Sequence, residues 1–465
     1  MPAYRAIGCD GDASFPLGLI EEAVAAAGCR ERRRRLLPAV AVVVFVLGLC
    51  LFSGEGYGEV ARKLAGWLSP LAGPGGWRVP GTASLARARR RVGAAPFRLL
   101  FSRLAGPLAG PGTPGARQFG RLLMAVDGTR LEVPYTPANI AAFGPPPGGG
   151  GDGGFPQVRL VTLAACGTHG IVDAVFRGRR GPGASEQDLA RKIAARGRVG
   201  PGMLVLADRN FSGYPVAACL AATGADVLIR AKSSQWLPAL EHLPDGSCRS
   251  VLAGPASGRA HARARHRGRP LLHPPAGLPV RVIEAGITIT PAGGQPRTER
   301  CRLITTLLDH RQAPAPAVAA CYAQRWEIET GYREIKVFTR GARRVLRSKD
   351  PAGITQEIWA LLCACQLTHT TRATAAAAGG HDPDQISYTT TLRALRRAIT
   401  TGLTPNATQA EALAHLLPAR RRRSYPRLTH TSTAKRRAAR TTPPSPTTYK
   451  TTIIASAHAT GLPGP

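Results

Sequence analysis

The sequence is short of acid. Its 465 residues carry 28 Asp plus Glu against 62 Lys plus Arg, for a formal charge of +34. Most of those cations are arginine, whose planar fork matches phosphate oxygens two at a time, so a polyanionic partner, nucleic acid above all, is the expectation. A genome biased towards Ala, Arg, Gly and Pro raises arginine as well. Paired cysteines are also missing. The ten cysteines are scattered, and the one close pair, Cys363 and Cys365, has no second pair at zinc-finger spacing. They read as reduced thiols of a cytoplasmic protein. Long apolar runs are confined to one, LLPAVAVVVFVLGLCLF at 36–52, behind a basic flank at Arg32 to Arg35. That run is at the short limit for a membrane span, contains Pro38 and begins too far from Met1 for a secretory signal. A buried helix is expected there, and no membrane partner. No internal repeat is visible.

Helical spacing dominates the first hundred residues, at Leu17 to Ala27, through the apolar run, at Tyr57 to Leu68 and at Ser84 to Leu104. In the last of these, Arg87, Arg89, Arg90 and Arg91 make a basic cluster suited to a phosphate backbone, with Arg87 and Arg90 the candidate DNA contacts. A Gly- and Pro-rich stretch then gives way to short apolar runs bounded by turns, at 122–126, 158–166, 170–176, 203–207 and 227–230. Helical stretches at 185–195 and 214–223 lie between them, so this part is α/β. Gly144 to Gly154 reads as a flexible loop before a hairpin. Beyond Lys232 come a basic loop, Arg259 to Arg269, and strands at 280–290 and 302–308. Long helices follow at 316–340 and 354–376, then a basic, Thr- and Pro-rich, partly disordered end with cationic runs at Arg420 to Arg423 and Lys435 to Arg440. The expected boundaries are 1–105 for an all-α DNA-binding domain, 106–119 for a linker and 120–232 for the first part of the α/β core. A β-rich insertion fills 233–314, closing helices 315–376, and the basic tail 377–465.

Asp127 follows the apolar run LLMAV and precedes Gly128, so its carboxylate is expected at a strand end with a tight turn after it. Asp208 repeats the pattern in LVLADRNF. Two acids offered by neighbouring strands suit a hard, oxygen-seeking cation such as Mg²⁺, although a strand-terminal Asp also serves as an ordinary turn cap. The string CYAQRWEIETGYREIK adds Tyr322, Arg325, Glu329 and Lys336. At about 100° per residue these fall within an arc of roughly 60° on one helix face, with Arg333 and Arg340 beside it. Glu327 and Glu334 point away. A plain surface salt bridge between Arg325 and Glu329 is the alternative.

Tyr-x₂-Arg-x₃-Glu-x₆-Lys is the signature of bacterial insertion-sequence transposases of the DDE class, IS-four type, and Tyr322, Arg325, Glu329 and Lys336 fit it at every position. The resemblance extends through AVDGT, PANIAAFG at 137–144, FPQVRLV at 155–161, ADRNF at 207–211 and VLRSK at 345–349, covering most of residues 15–375. It implies an RNase H-like catalytic core with a β-rich insertion and an N-terminal helical domain. It further implies two Mg²⁺ ions on Asp127, Asp208 and Glu329, with Mn²⁺ able to substitute, for cleavage at element ends and transfer into target DNA. Arg325 and Lys336, with Arg333 nearby, are then expected on DNA phosphates, Tyr322 on the strand it positions, and a homodimer on paired inverted-repeat ends. Some relatives stack a flipped base on a tryptophan of the insertion; Trp236 is the insertion tryptophan here. The TTPPSPTTYKTT tail does not align with the family. A nuclease without strand transfer and an inactive, DNA-binding repressor are the competing readings.

Overall fold

Apolar spacing near the N-terminus gives six helices: α1 Leu17–Ala26, α2 Ala39–Leu51, α3 Tyr57–Lys63, α4 Ala65–Ala72, α5 Thr82–Val92 and α6 Ala95–Leu104. The single helix expected over 84–104 is two, because Gly93 adopts φ 67°, a left-handed conformation that ends α5, and Pro96 suits the first turn of the next helix. Next come β1 Arg117–Gln118, β2 Arg121–Glu132, α7 Pro137–Phe143, β3 Gln157–Ala165, β4 Ile171–Gly178, α8 Glu186–Ala194, β5 Met203–Ala207, α9 Tyr214–Ala221 and β6 Asp226–Arg230. The chain continues through β7 Glu241–His242, β8 Cys248–Ala253, α10 Pro255–His266, β9 Gly277–Thr290, β10 Arg297–Thr305, α11 Ala315–Tyr322, α12 Trp326–Arg333, α13 Pro351–Ala378, α14 Tyr388–Thr401 and β11 Thr448–Ile453. These elements belong to a computed structural model that describes residues 17–31, 37–72, 78–147, 154–267, 275–290, 295, 297–342, 344–401, 408, 410, 411, 413 and 448–453. The cationic runs at 32–35, 420–423 and 435–440 lie outside the described residues.

The chain divides into two compact units, Met1–Ala116 with Gly128–Ser185 and Glu329–Pro418, and Arg117–Asp127 with Glu186–Ile328 and Ala419–Pro465. In the first, the apolar run forms α2, buried over nearly its whole length and packed on α13, α5 and α1. No helix among the described residues is long and apolar enough to cross a membrane. Also in this unit, β3 and β4 form the expected hairpin, in register from Val158↔Gly178 to Leu163↔Asp173. The loop expected at 144–154 is preceded by α7, whose N-cap Thr136 accepts a hydrogen bond from Asn139 N at 3.2 Å.

In the second unit, the first half of β2 pairs in parallel with β5, and β5 in parallel with β6. Antiparallel strands then follow in the order β10, β9, β8, β7. Among the regular elements between β6 and α11, strand thus outweighs helix, with four strands to the one helix α10 among the described residues. The basic stretch there, expected as a loop, is largely helical, as α10. Strand by strand, the hydrogen-bonded order β4-β3-β2-β5-β6 is that of an RNase H-like core.

Three further expectations need correction. Asp127 does not end its strand: β2 runs on to Glu132, and Gly128 is not among the glycines with positive φ, so no tight turn occurs there. The helix expected over 316–340 is α11, a 3₁₀ turn at Ala323–Arg325, α12 and a π-helical turn at Glu334–Thr339. The C-terminal stretch expected to be partly disordered has two elements that no sequence expectation placed there, α14 and β11, the latter paired antiparallel with β9; Thr-, Tyr- and Ile-rich segments favour strands even next to prolines.

Candidate active site

The parallel ladder of β2 and β5 runs from Leu122↔Met203 to Val126↔Ala207. Each strand's next residue is an acid, Asp127 and Asp208, so one unit carries both carboxylates just past the end of a shared ladder. Both are partly exposed, whereas the five residues before each are buried. That burial on both faces is what a central parallel strand requires.

Asp208 caps the 3₁₀ turn Arg209–Phe211, its Oδ1 accepting a hydrogen bond from Asn210 N at 2.8 Å. No other hydrogen bond to its side chain is made among the described residues, which leaves Oδ2 open to a cation. The turn is held from α8: Asn210 Nδ2 donates to Glu186 at 2.7 Å, and Gln187 Nε2 donates to Asn210 O at 2.7 Å. Tyr322, buried at the end of α11, donates its hydroxyl to Ala207 O at 3.2 Å, fixing the carbonyl beside Asp208. Burial pushes that phenol well above its ordinary range, so it stays a donor. Arg325 is buried in the following 3₁₀ turn with its guanidinium 4.4 Å from the Trp326 ring centroid. The insertion holds α11 in turn: Asp245 accepts from Ala315 N at 2.8 Å and pairs with the fully buried Arg281 at 3.0 Å.

Glu329 lies partly exposed on α12 and is the first residue of its segment of the other unit. In that unit Lys336, in the π-helical turn, donates to Thr129 Oγ1 at 3.3 Å. Thr129 stands two residues after Asp127, on the same side of the strand. Burial and the neighbouring Arg340 lower the Lys336 pKa, against the pull of Glu132. Arg333, Arg87 and Arg90 are exposed, Arg333 over the Phe338 ring at 5.4 Å and Arg87 bonded to Ser84. Their neighbour Arg89 is turned inward, bonding Gln356 at 2.6 Å, Tyr57 at 2.7 Å and Ser348 at 2.7 Å. Among the described residues, Asp127, Asp208 and Glu329 belong to no group of three such side chains with ligand atoms within 4.8 Å of one another.

A buried His169, Glu334, His369 group does meet that distance. Glu334 accepts from Arg372 at 3.0 Å and lies 2.7 Å from His169 Nδ1. Burial alone would raise its pKa, but His169 and Arg372 hold it far below the usual carboxylate range. With that carboxylate already neutralised, a buried dication would add uncompensated charge, and the group is read as a structural network. Two other family-like stretches prove to be bonded to each other: Asn139, fully buried, donates to Ser348 O at 3.2 Å, and Thr136 donates to Lys349 O at 2.8 Å. Trp236 lines a cavity of about 700 Å³ with Tyr214, Leu252 and His266. The cap from Asp245 and the inward turn of Arg89 were beyond sequence reading, since neither position stands in a motif.

The chain belongs to the transposase DDE-domain family, whose model matches residues 118–367, and the insertion element 4 transposase N-terminal model matches residues 12–102. It is an enzyme of the DDE transposase type. It is 28% identical over 422 residues to Transposase InsG for insertion sequence element IS4 of Escherichia coli (strain K12), covering 88% of this chain and 89% of that protein. A chain of the piggyBac transposase synaptic complex with hairpin DNA, solved by cryo-EM, aligns with a TM-score of 0.38 at 9% identity, over 90% of this chain and 89% of that one.

Proposed function

We propose that this transposase cuts double-stranded DNA at the inverted-repeat ends of an insertion sequence and joins the freed ends to target DNA, using Asp127, Asp208 and Glu329 to hold divalent cations. The observation that carries the reading is the pair of acids following Val126 and Ala207 at the end of one ladder. Hard carboxylate oxygens on a stiff sheet suit Mg²⁺, with Mn²⁺ an acceptable substitute. When bound, two such ions supply an activated water or 3′-hydroxyl and a charge partner for the leaving oxygen.

The protein's own part is positioning. The 3₁₀ cap and the Tyr322 bond keep Asp208 and its carbonyl neighbour still. Lys336, tied to Thr129 beyond Asp127, offers a cation to a phosphate, and Arg325, Arg333, Arg87 and Arg90 supply further phosphate contacts. Trp236 is the candidate platform for a base lifted from the duplex. Two DNA ends call for two copies of the chain, hence a homodimer on DNA, working in the cytoplasm. The domain limits are proposed as 1–105, 106–119, 120–232, 233–314, 315–376 and 377–465.

The test is cleavage of a labelled duplex carrying the DNA that flanks the gene, with Mg²⁺, with EDTA, and with Asp208→Asn. Cleavage at the element boundary that disappears with EDTA and with the variant is expected. Unchanged cleavage by the variant overturns the assignment; specific binding with no cleavage by the wild type favours a repressor.

A further inference from the structure

At the C-terminal end of α2, within the first unit, lies a cavity of about 360 Å³ lined by Arg89, Arg340, Arg344, Arg347, Glu55 and Glu357, with apolar side chains of α2 as its wall. Four arginines there face two glutamates, both of them already engaged by other groups, although Glu55 Oε2 accepts no hydrogen bond. Glu55 is paired with Lys63 at 2.6 Å, and Glu357 accepts from the main chain of Arg347 and Ser348 and from the Ser348 hydroxyl. Three of the arginines also have partners. Arg344 donates to Ser53 O at 2.7 Å, Arg347 donates to Phe52 O at 3.3 Å, and Arg89 is bonded as described above. The first two thereby satisfy carbonyls left over beyond a helix end.

Arg340 is different. Only 9% exposed, it lines the same cavity with its Nε and Nη1 making no hydrogen bond. A buried guanidinium without an acceptor is costly, and its fork geometry suits a tetrahedral oxyanion with two oxygens side by side. The volume falls near the lower end of ligand pockets, roughly 300–1,000 Å³, and so has room for a phosphoryl group with part of a sugar.

We propose that this cavity is a phosphate-binding site in which Arg340 holds the phosphoryl oxygens while Arg344, Arg347 and Arg89 supply the surrounding positive field. The phosphate is either a phosphodiester of DNA or a free phosphate monoester. The site needs none of the three carboxylates and no metal, so it stands or falls separately from the catalytic reading.

The experiment titrates inorganic phosphate into the full-length protein at constant ionic strength and reads thermal unfolding and ³¹P line width, for the wild type, Arg340→Met and Arg340→Lys. In parallel, duplex binding is followed against salt. For the wild type we expect phosphate to raise Tm and broaden the ³¹P signal. Without phosphate, Arg340→Met is expected to melt no lower than the wild type, because an unpaired buried cation has been removed. It should bind phosphate at least tenfold more weakly, with Arg340→Lys in between. If the occupant is DNA, duplex displaces phosphate and the salt slope of duplex binding falls by about one in Arg340→Met. If it is a free monoester, duplex neither competes nor changes slope. No phosphate response in the wild type together with an unchanged slope overturns the proposal, as does an Arg340→Met protein that melts lower yet responds to phosphate as before.

Discussion

At the scale of single residues, one carboxylate does two jobs that can be separated. Asp208 Oδ1 caps the Arg209–Phe211 turn, and asparagine keeps an acceptor in that place while removing the charge. Asp208→Asn is therefore expected to melt close to the wild type, whereas Asp208→Ala, which loses the cap, should be less stable by about 1 kcal/mol; urea denaturation followed by circular dichroism compares them. Lys336 offers a contrast, being half-buried and steadied by Thr129. Lys336→Ala should weaken duplex binding and reduce the slope of log K against log salt by about 0.9, one phosphate's worth, read by fluorescence anisotropy. The candidate site residues could be proposed from the sequence because their types and spacings form a motif. Their neighbours could not: Arg89 sits among Arg87, Arg90 and Arg91 in sequence, and nothing local says that it alone turns inward to Gln356 and Ser348.

Among the elements, the strands of the core and both long C-terminal helical stretches could be read, since buried parallel strands and apolar helices announce themselves by continuous or periodic apolar residues. Where the elements differ from those expected, a local rule is outvoted by pairing. An acid followed by glycine looked like a turn, yet β2 continues past Gly128 with Thr129 and Leu131 buried and Arg130 exposed, the alternation of a strand with one covered face. The 3₁₀ and π turns flanking α12 leave the hydrophobic period almost unchanged, which is why a single helix was expected. Anchorage of α11 also depends on a distant element. Asp245, at the turn between β7 and β8, caps α11 and neutralises the buried Arg281. Asp245→Ala should cost about 3–5 kcal/mol by leaving that cation unpaired, measured as a lower urea midpoint, and charge removal at both positions, Asp245→Asn with Arg281→Met, should recover part of the loss.

For the whole molecule, acid sensitivity follows from the buried network of the first unit. Burial keeps His369 neutral well below its ordinary pKa, and neither ring nitrogen makes a hydrogen bond. Below a pH of about 6.5 the unfolded chain takes up a proton that the folded chain refuses, so stability falls as pH falls through that value. Glu334 adds to this lower down: its depressed pKa contributes stability that is complete above about pH 4.5 and is lost as pH drops further. The expected result is a Tm that declines from pH 6.5 to 5, reflecting a loss of stability of up to about 1.4 kcal/mol per pH unit. Replacement of His369 by Gln should flatten that first decline.

α2 gives the chain a problem of timing. It is apolar all round, and the helix it touches most, α13, lies about 300 residues further along. At about 5–20 residues per second, a newly made α2 waits roughly 15–60 s before the helix that shields it leaves the ribosome. During that interval the growing chain leaves open the face of α2 that α13 will cover, and any product truncated before residue 351 keeps that face open permanently. Premature termination should thus yield aggregates rather than a usable DNA-binding fragment, even though the N-terminal helices are complete.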